Sequence, residues 1–239
     1  MKKRTIATIL IIILIGIMIT DFKVSGPRVF ELFFRRMETD SMRKDGLDFT
    51  TNANYKYSKE QNLSIEQKDK KNLIINNYMG SVDIVGEKRN DIDVDAKITI
   101  YSTKKNMAQE YAKNISINTD KRGDNIKLEI PLEEERPPEI RGVRVDYVIR
   151  APENIFLDIE NRYGELKVRN FQNGVDLSNK YKKTIVEDLS GDDIIINAKY
   201  GNLDLSNVSE GKIMEVNTAY NQASIENISR DMEIDSAYG

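Results

Sequence analysis

Five tyrosines in the second half of this 239-residue chain are its best-placed candidates for recognition chemistry. They recur at intervals of 18, 19, 20 and 18 positions, as Tyr163, Tyr181, Tyr200, Tyr220 and Tyr238. On strands that stack at ~4.8 Å, five aromatic side chains at one edge could form a strip that binds a polymer such as a glycan. The alternative is structural, because identical side chains stack in any regular repeat and would close a turn. The spacing predicts the strip and leaves both roles open.

The composition excludes most familiar catalytic chemistry. The chain contains no Cys, no His and no Trp. It therefore has no thiolate nucleophile, no disulfide framework, no histidine base and no usual zinc ligand. We expect a protein that is not an enzyme and that uses no cofactor and no metal.

Acidic clusters offer only weak alternatives to that expectation. Asp91, Asp93 and Asp95 alternate on one predicted strand and could present oxygen ligands to Ca²⁺, but no glycine-containing loop of metal-binding spacing surrounds them. A solvated strand face is the expected role. A β-helical polysaccharide lyase or hydrolase would need carboxylates in one column with a basic partner. The sequence shows no such column, so a carbohydrate-active enzyme remains only a second alternative.

The N-terminus predicts export. Lys2, Lys3 and Arg4 precede an uncharged apolar run over residues 6–20, and basic residues mark the cytoplasmic end of a membrane segment. Residues 1–24 are therefore expected to be a signal anchor, with the N-terminus cytoplasmic and the body extracytoplasmic. A cleaved signal peptide, giving a secreted or periplasmic protein, is the alternative because the run is short for a span.

The remaining chain divides into a spacer and a β-rich body. Residues 25–70 are expected to form a juxtamembrane amphipathic segment and a polar stalk with at most one strand. Residues 71–239 read as one domain, in which residues 91–102 alternate as a strand and about 106–115 form the single short helix. Residues 51–239 carry 27 basic and 33 acidic side chains. This mildly acidic balance does not suit nucleic acid.

From Asn154 the chain repeats itself in register with the five tyrosines. Aliphatic residues stand six and four positions before each Tyr and five and eight positions after the first four, with only Phe171 aromatic. Asn or Asp stands seven positions after, where side-chain amides in a turn can bond the backbone and each other. A unit of strand, turn, strand, turn cannot bury its own apolar face, although stacked units can. The predicted fold is an all-β solenoid of 18–20-residue two-strand coils.

These features resemble a bacterial family. A strand reading VDYVIRAP is followed by coils that include NRYGELKV and KYGNLDLSNV. Together they resemble the "putative adhesin" domains of unknown function with Tyr-Gly coils, over about residues 70–239. The resemblance implies a β-solenoid of the cell envelope without an established active site. In the second and fourth coils Lys182 and Asn221 replace the turn glycine.

We therefore predict a cell-envelope protein with an adhesin-like binding or scaffolding domain. Expected partners are the membrane, through the N-terminal helix, and a cell-wall polymer, glycan or envelope protein. An accessory regulator of an envelope stress response is the alternative function. Because the sequence stops within a coil's first turn, either it is a fragment or its open end is covered, which makes end-to-end self-association a further expectation.

Overall fold

The computed structural model describes residues 53–131, 136–209 and 211–238. The predicted membrane segment, most of the predicted stalk and the acidic stretch at 133–135 lie outside these ranges. Within them, no helix is both long enough and apolar enough to cross a bilayer.

Strands make up most of the described chain. In chain order they are β1 (Tyr55–Glu66), β2 (Asn72–Met79), β3 (Val82–Glu87), β4 (Asp91–Ser102), β5 (Asn118–Asp120), β6 (Asn125–Glu129), β7 (Ile140–Pro152), β8 (Phe156–Tyr163), β9 (Leu166–Phe171), β10 (Val175–Lys180), β11 (Thr184–Leu189), β12 (Ile194–Lys199), β13 (Leu203–Val208), β14 (Met214–Ala219), β15 (Ala223–Ile228) and β16 (Met232–Ala237). One helix, α1 (Lys105–Asn114), follows β4.

The strands form two eight-stranded sheets. The first has the order β1-β4-β7-β3-β9-β11-β13-β15, and the second has the order β16-β14-β12-β10-β8-β2-β6-β5. Both are mixed: β4 runs antiparallel to β1 and β7, and β5 runs antiparallel to β6, whereas the other pairings are parallel.

This architecture corrects the predicted fold. The all-β class is confirmed, but the prediction of a β-solenoid of two-strand coils is wrong, because the chain forms two large mixed sheets. The tyrosine-centred period begins at residue 154, and the prediction extended it to residues 71–153. That part instead contributes long antiparallel strands and the β5–β6 hairpin, whose hydrogen-bonding pattern a parallel repeat does not provide.

In the repeated region, each strand pairs in parallel with its counterpart one repeat away. In the second sheet Val175 lies opposite both Leu157 and Ile194, and in the first sheet Val186 lies opposite both Val168 and Leu205. Equivalent positions of successive repeats are therefore neighbours at the strand spacing of ~4.8 Å. A column in the sequence becomes a row of contacting side chains.

The aliphatic columns face each other between the sheets. Leu157, Val175, Ile194 and Met214 in the second sheet are at most 1% exposed, and the aliphatic columns of the first sheet are buried in the same way up to Val208. At ~1.5–3 kcal/mol for each fully buried aliphatic side chain, this burial is the main term that favours the fold. The predicted inward columns are confirmed as far as Val216, whereas in the last repeat Met232 is only partly buried and Ile234 is 48% exposed.

An asparagine ladder lies inside this apolar core. Asn77, Asn161 and Asn179 are at most 6% exposed. The Asn77 amide donates to Asn161 Oδ1 and the Asn161 amide to Asn179 Oδ1, both at 3.1 Å. The Asn161 amide also donates to the Gly164 carbonyl at 2.7 Å. Buried amides that satisfy one another and the turn backbone avoid the cost of unpaired polar groups.

The single predicted helix is confirmed, one residue earlier than expected. Ala108, Tyr111 and Ala112 are its buried residues, and they pack on the antiparallel β1–β4 pair. Because β1 pairs with β4 along its whole length, the strand that precedes residue 70 belongs to this sheet.

Close backbone approach explains the glycine that follows Tyr163 and Tyr200. A Cβ on Gly201 would overlap the backbone carbonyl of Lys182, and one on Gly164 would overlap the carbonyl of Gly80.

We expect Gly201→Ala to destabilise the domain by about 1–3 kcal/mol, since the added methyl must displace backbone. Chemical unfolding followed by circular dichroism measures the change. Asn202→Ala, at the exposed next position, is the control and should change stability by less than about 0.5 kcal/mol. Equal stabilities for the two variants would contradict this account of the turn.

Candidate functional site

The five predicted tyrosines come together as one continuous stack. Tyr163 ends β8, and the others directly follow β10, β12, β14 and β16. Successive ring centroids lie 4.8, 5.2, 5.1 and 4.8 Å apart, with interplanar angles of 5–9°. We call this stack the tyrosine strip. Parallel pairing of the preceding strands is what aligns the rings.

The tyrosines of the strip hold an unusual backbone conformation. Tyr181, Tyr200, Tyr220 and Tyr238 have φ of 68°, 60°, 56° and 58°, in the left-handed region that costs a non-glycine residue roughly 1–2 kcal/mol. Each stacked aromatic pair contributes about 0.5–1.5 kcal/mol beyond area burial. The stack is thus of the right size to offset the strain, which explains why tyrosine occupies a position suited to Gly or Asn.

Stacking also decides which atoms of the strip are accessible. Each interior ring has a neighbouring ring on both faces, and its side chain is half-buried. Only Tyr238, at the end of the stack, is well exposed, at 60%. A ligand along the strip would therefore meet ring edges and phenolic oxygens and not ring faces.

At its other end the stack continues with the Tyr78 ring, which also contacts a cation. The Tyr78 ring lies 5.4 Å from that of Tyr163 and is tilted by 50°. The Arg162 guanidinium carbon lies 5.2 Å from the Tyr78 ring centroid, a cation–π distance.

A row of cations that sequence reasoning missed runs beside the strip. Arg162, Lys180 and Lys199 each precede a tyrosine and occupy successive strands on the outer face of the second sheet. Lys180 lies directly opposite Lys199 in the register. We call these three residues the cation row. In the sequence these cations stand one position before the first three tyrosines. The same position holds Ala before the last two, as Ala219 and Ala237.

Acidic residues occupy the far side of the same sheet face. Asp158 lies opposite Asp176 in the register. Burial raises the pKa of the Asp176 carboxyl, and the Asp158 charge raises it further. Burial likewise raises the pKa of Asp158, with a smaller contribution from Glu160. The outer face of the second sheet is therefore acidic at one side and basic beside the strip.

The opposite edge of the repeats carries the Asn/Asp column. Asn170, Asp188, Asn207 and Asn227 have φ of 62°, 56°, 57° and 54°. The Asn227 amide donates to Asn207 Oδ1 at 3.1 Å, and the Asn207 amide donates to Asp188 Oδ1 at 2.9 Å. The predicted bonding of these side chains to one another is confirmed, although each lies one residue before the end of its strand and not in a turn.

A shallow groove of about 450 Å³ lies along this edge. Besides the Asn/Asp column, the groove is lined by a second column that sequence reasoning missed. Its members stand nine positions after the first four tyrosines and are Gln172, Ser190, Ser209 and Ser229. The groove is polar, and its regularity follows from the same parallel register.

The three aspartates considered for Ca²⁺ are neutralised by arginines. Arg89 forms ion pairs with Asp91 and Asp93, and Arg150 forms one with Asp95 at 3.0 Å. Across the described ranges, no cluster of three or more acidic residues is arranged to hold a metal ion. Asp91, Asp93 and Asp95 are partly exposed to solvent on their strand, as the solvated strand face predicted.

Comparisons with known proteins add structural likenesses only. No protein-family model and no curated protein matches the chain. Among solved structures, a "putative cell adhesion protein" from Clostridium sporogenes is 13% identical with a TM-score of 0.33, covering 77% of this chain and 100% of its own. A "putative adhesin" from Parabacteroides distasonis is 10% identical with a TM-score of 0.38, covering 78% and 83%.

A "putative lipid binding protein" from Parabacteroides distasonis is also similar, at 10% identity and a TM-score of 0.33, covering 79% of this chain and 95% of its own. These neighbours are bacterial proteins whose names refer to adhesion or lipid binding and not to enzymes. At such identities the resemblance to the "putative adhesin" family stays a prediction.

The paired acids give a pH-dependent prediction. Because the Asp176 pKa is raised on folding, its ionisation opposes folding above that pKa, and the effect disappears below its ordinary value of about 3.9. Asp176→Asn should therefore raise stability at pH 7 by roughly 0.2–1 kcal/mol. The gain should vanish near pH 3.

Unfolding by urea at both pH values measures this difference. Asp231→Asn, an exposed turn residue, is the matched control and should leave stability unchanged at both. A gain for Asp176→Asn that persists at pH 3 would show that charge is not its cause.

Proposed function

We propose that this protein is a non-enzymatic component of the bacterial cell envelope with an adhesin-like binding or scaffolding domain. In this proposal the N-terminal segment anchors the chain in the membrane as a single span, and residues 53–238 face away from the cytoplasm. The basic residues Lys2, Lys3 and Arg4 before the apolar run support that orientation.

The tyrosine strip is the observation that carries the proposal. Five rings at intervals of 4.8–5.2 Å form one line along the edge of the second sheet. A line of equal, closely spaced groups suits a long repeating ligand better than a compact one, because many weak contacts to one chain add through effective concentration.

The stack also supplies rigidity, which binding of a flexible polymer requires. Each interior ring is held between two others, so little side-chain entropy remains to be lost when a ligand contacts its edge. We infer that cell-wall polymers or envelope glycans are the ligand class, contacted through ring edges and phenolic oxygens.

The test is co-sedimentation of the full chain, in a non-ionic detergent, with purified cell wall. The Tyr200→Asn, Tyr220→Asn double variant removes two rings, and Asn tolerates the left-handed backbone. We expect wall binding to fall at least tenfold. Tyr200→Phe, Tyr220→Phe keeps the stack and removes only hydroxyls, so it should bind with a smaller loss.

Tyr57→Asn, on an exposed position of β1 at 37% exposure, is the control and should bind like the unmodified chain. Circular dichroism establishes that each variant is folded. Undiminished binding in the folded Asn double variant would refute the strip as a binding site, and no binding by the unmodified chain would refute the proposed ligand class.

A further inference from the structure

The cation row stands out against the charge of the rest of the chain. Residues 51–239 carry six more acidic than basic side chains, yet the strand ends beside the tyrosine strip carry Arg162, Lys180 and Lys199. The turn that follows Tyr181 adds Lys182, which is exposed. Basic charge is thus concentrated along one edge of an acidic domain.

Most other cations on the sheet surfaces have carboxylate partners. Arg169 pairs with Asp83 at 2.6 Å, Lys167 with Glu165 at 2.7 Å, and Lys183 with Asp204 at 2.5 Å. In the described part of the chain, neither Lys180 nor Lys199 forms such an ion pair. Other strand cations, such as Lys97, also lack an ion pair in the described ranges, but Lys97 lies opposite the acidic residues Glu60 and Asp146 in the register, whereas Lys180 and Lys199 lie opposite each other.

Asp176 is too distant to compensate for these lysines, and Glu160, opposite Ser178 on β8, acts on Arg162. Asp176 precedes Lys180 by four residues on the same strand, which corresponds to ~13 Å at the rise of a strand. Charges that far apart at the surface are largely screened at physiological salt, where the Debye length is ~8 Å. Ser178 occupies the position between them.

The register makes this arrangement unfavourable in the absence of a ligand. Lys180 and Lys199 lie opposite each other on adjacent strands, and like charges in that position destabilise a sheet. Nothing in the packing requires lysine, since Ala219 and Ala237 fill the same column in the next two repeats. An anion shared between neighbouring cations would remove the repulsion.

We propose that the edge formed by the tyrosine strip and the cation row binds an extended anionic polymer, one with regularly repeated phosphate or carboxylate groups. Arg162, Lys180 and Lys199 contact the anionic groups, and the tyrosine edges contact the chain between them. This inference rests on the proposed function and narrows its ligand class from polymers in general to anionic ones.

The shape of the basic site favours a polymer over a membrane. The row is one residue wide and crosses the strands, with a step of ~4.8 Å from one strand to the next. A lipid surface would be met by a broad basic face, whereas Asp158 and Asp176 occupy the other side of this one. A single extended chain can follow the row without approaching those acids.

The direct test uses long-chain inorganic polyphosphate as the probe and the full chain in a non-ionic detergent. We expect binding at 0.1 M salt to weaken at least tenfold in Lys180→Gln, Lys199→Gln. If three cations each displace counterions, the slope of log K against log salt should be about −2 to −3 and should become about 1.5 units shallower in this variant.

Lys88→Gln, Lys97→Gln is the matched control. It removes the same charge from exposed positions of the first sheet and its loop, and it should keep affinity within twofold. An equal loss in both double variants would mean attraction to net charge alone and would overturn the assignment to the row.

Two further probes separate the inference from the proposed function. Binding to an uncharged polysaccharide that survives Lys180→Gln, Lys199→Gln, with none to polyphosphate, would overturn the anionic ligand and leave a polymer-binding strip. Preference for vesicles of anionic over zwitterionic lipid, lost in the same variant, would assign the row to a membrane surface instead. Absence of binding to cell wall and polyphosphate alike would refute both proposals.

Discussion

Parallel, in-register pairing of successive repeats is the constraint on which the second half of this structure depends. Because each strand lies beside its counterpart in the next repeat, every position must tolerate a like residue at the strand spacing. Aliphatic side chains satisfy that condition by packing. Asparagine satisfies it because its amide is both a donor and an acceptor, so Asn161 can bond to Asn77 and Asn179 at once. Tyrosine satisfies it by stacking.

The two turns of each repeat meet the same condition in different ways. On one edge, Asn and Asp adopt a left-handed backbone that they tolerate well, and their side chains bond along the column. On the other edge, tyrosine adopts the same backbone at a greater energetic cost, which is offset by stacking on the neighbouring rings. Loss of one ring therefore affects two contacts, which makes the strip cooperative along its length.

The repeat period let the sequence predict much of the domain, but only where the period applies. The columns around Tyr163 to Tyr220 predicted which residues are buried, except at the last strand, where Ile234 is exposed, and the alternation over residues 91–102 predicted β4. The sheet order could not be read from the sequence, because β4 pairs with β1 and β7, and other strands separate it from both along the chain. The five tyrosines form an unbroken column in the sequence, whereas the flanking cations give a weaker signal because their column changes to Ala at positions 219 and 237.

The fold explains some of these columns and not others. A column of Asn or Val is selected by stacking itself, since each member gains from its neighbours, and it carries little information about ligands. Cations that lie opposite each other, such as Lys180 and Lys199, lose from their neighbours, because their charges repel across the register. Arg162 contacts the Tyr78 ring, but the packing of the described residues gives no reason for the charges of Lys180 and Lys199, since alanine fills the same column in the next two repeats. In a structure built from repeating rows, the row that the fold disfavours is the stronger indicator of binding.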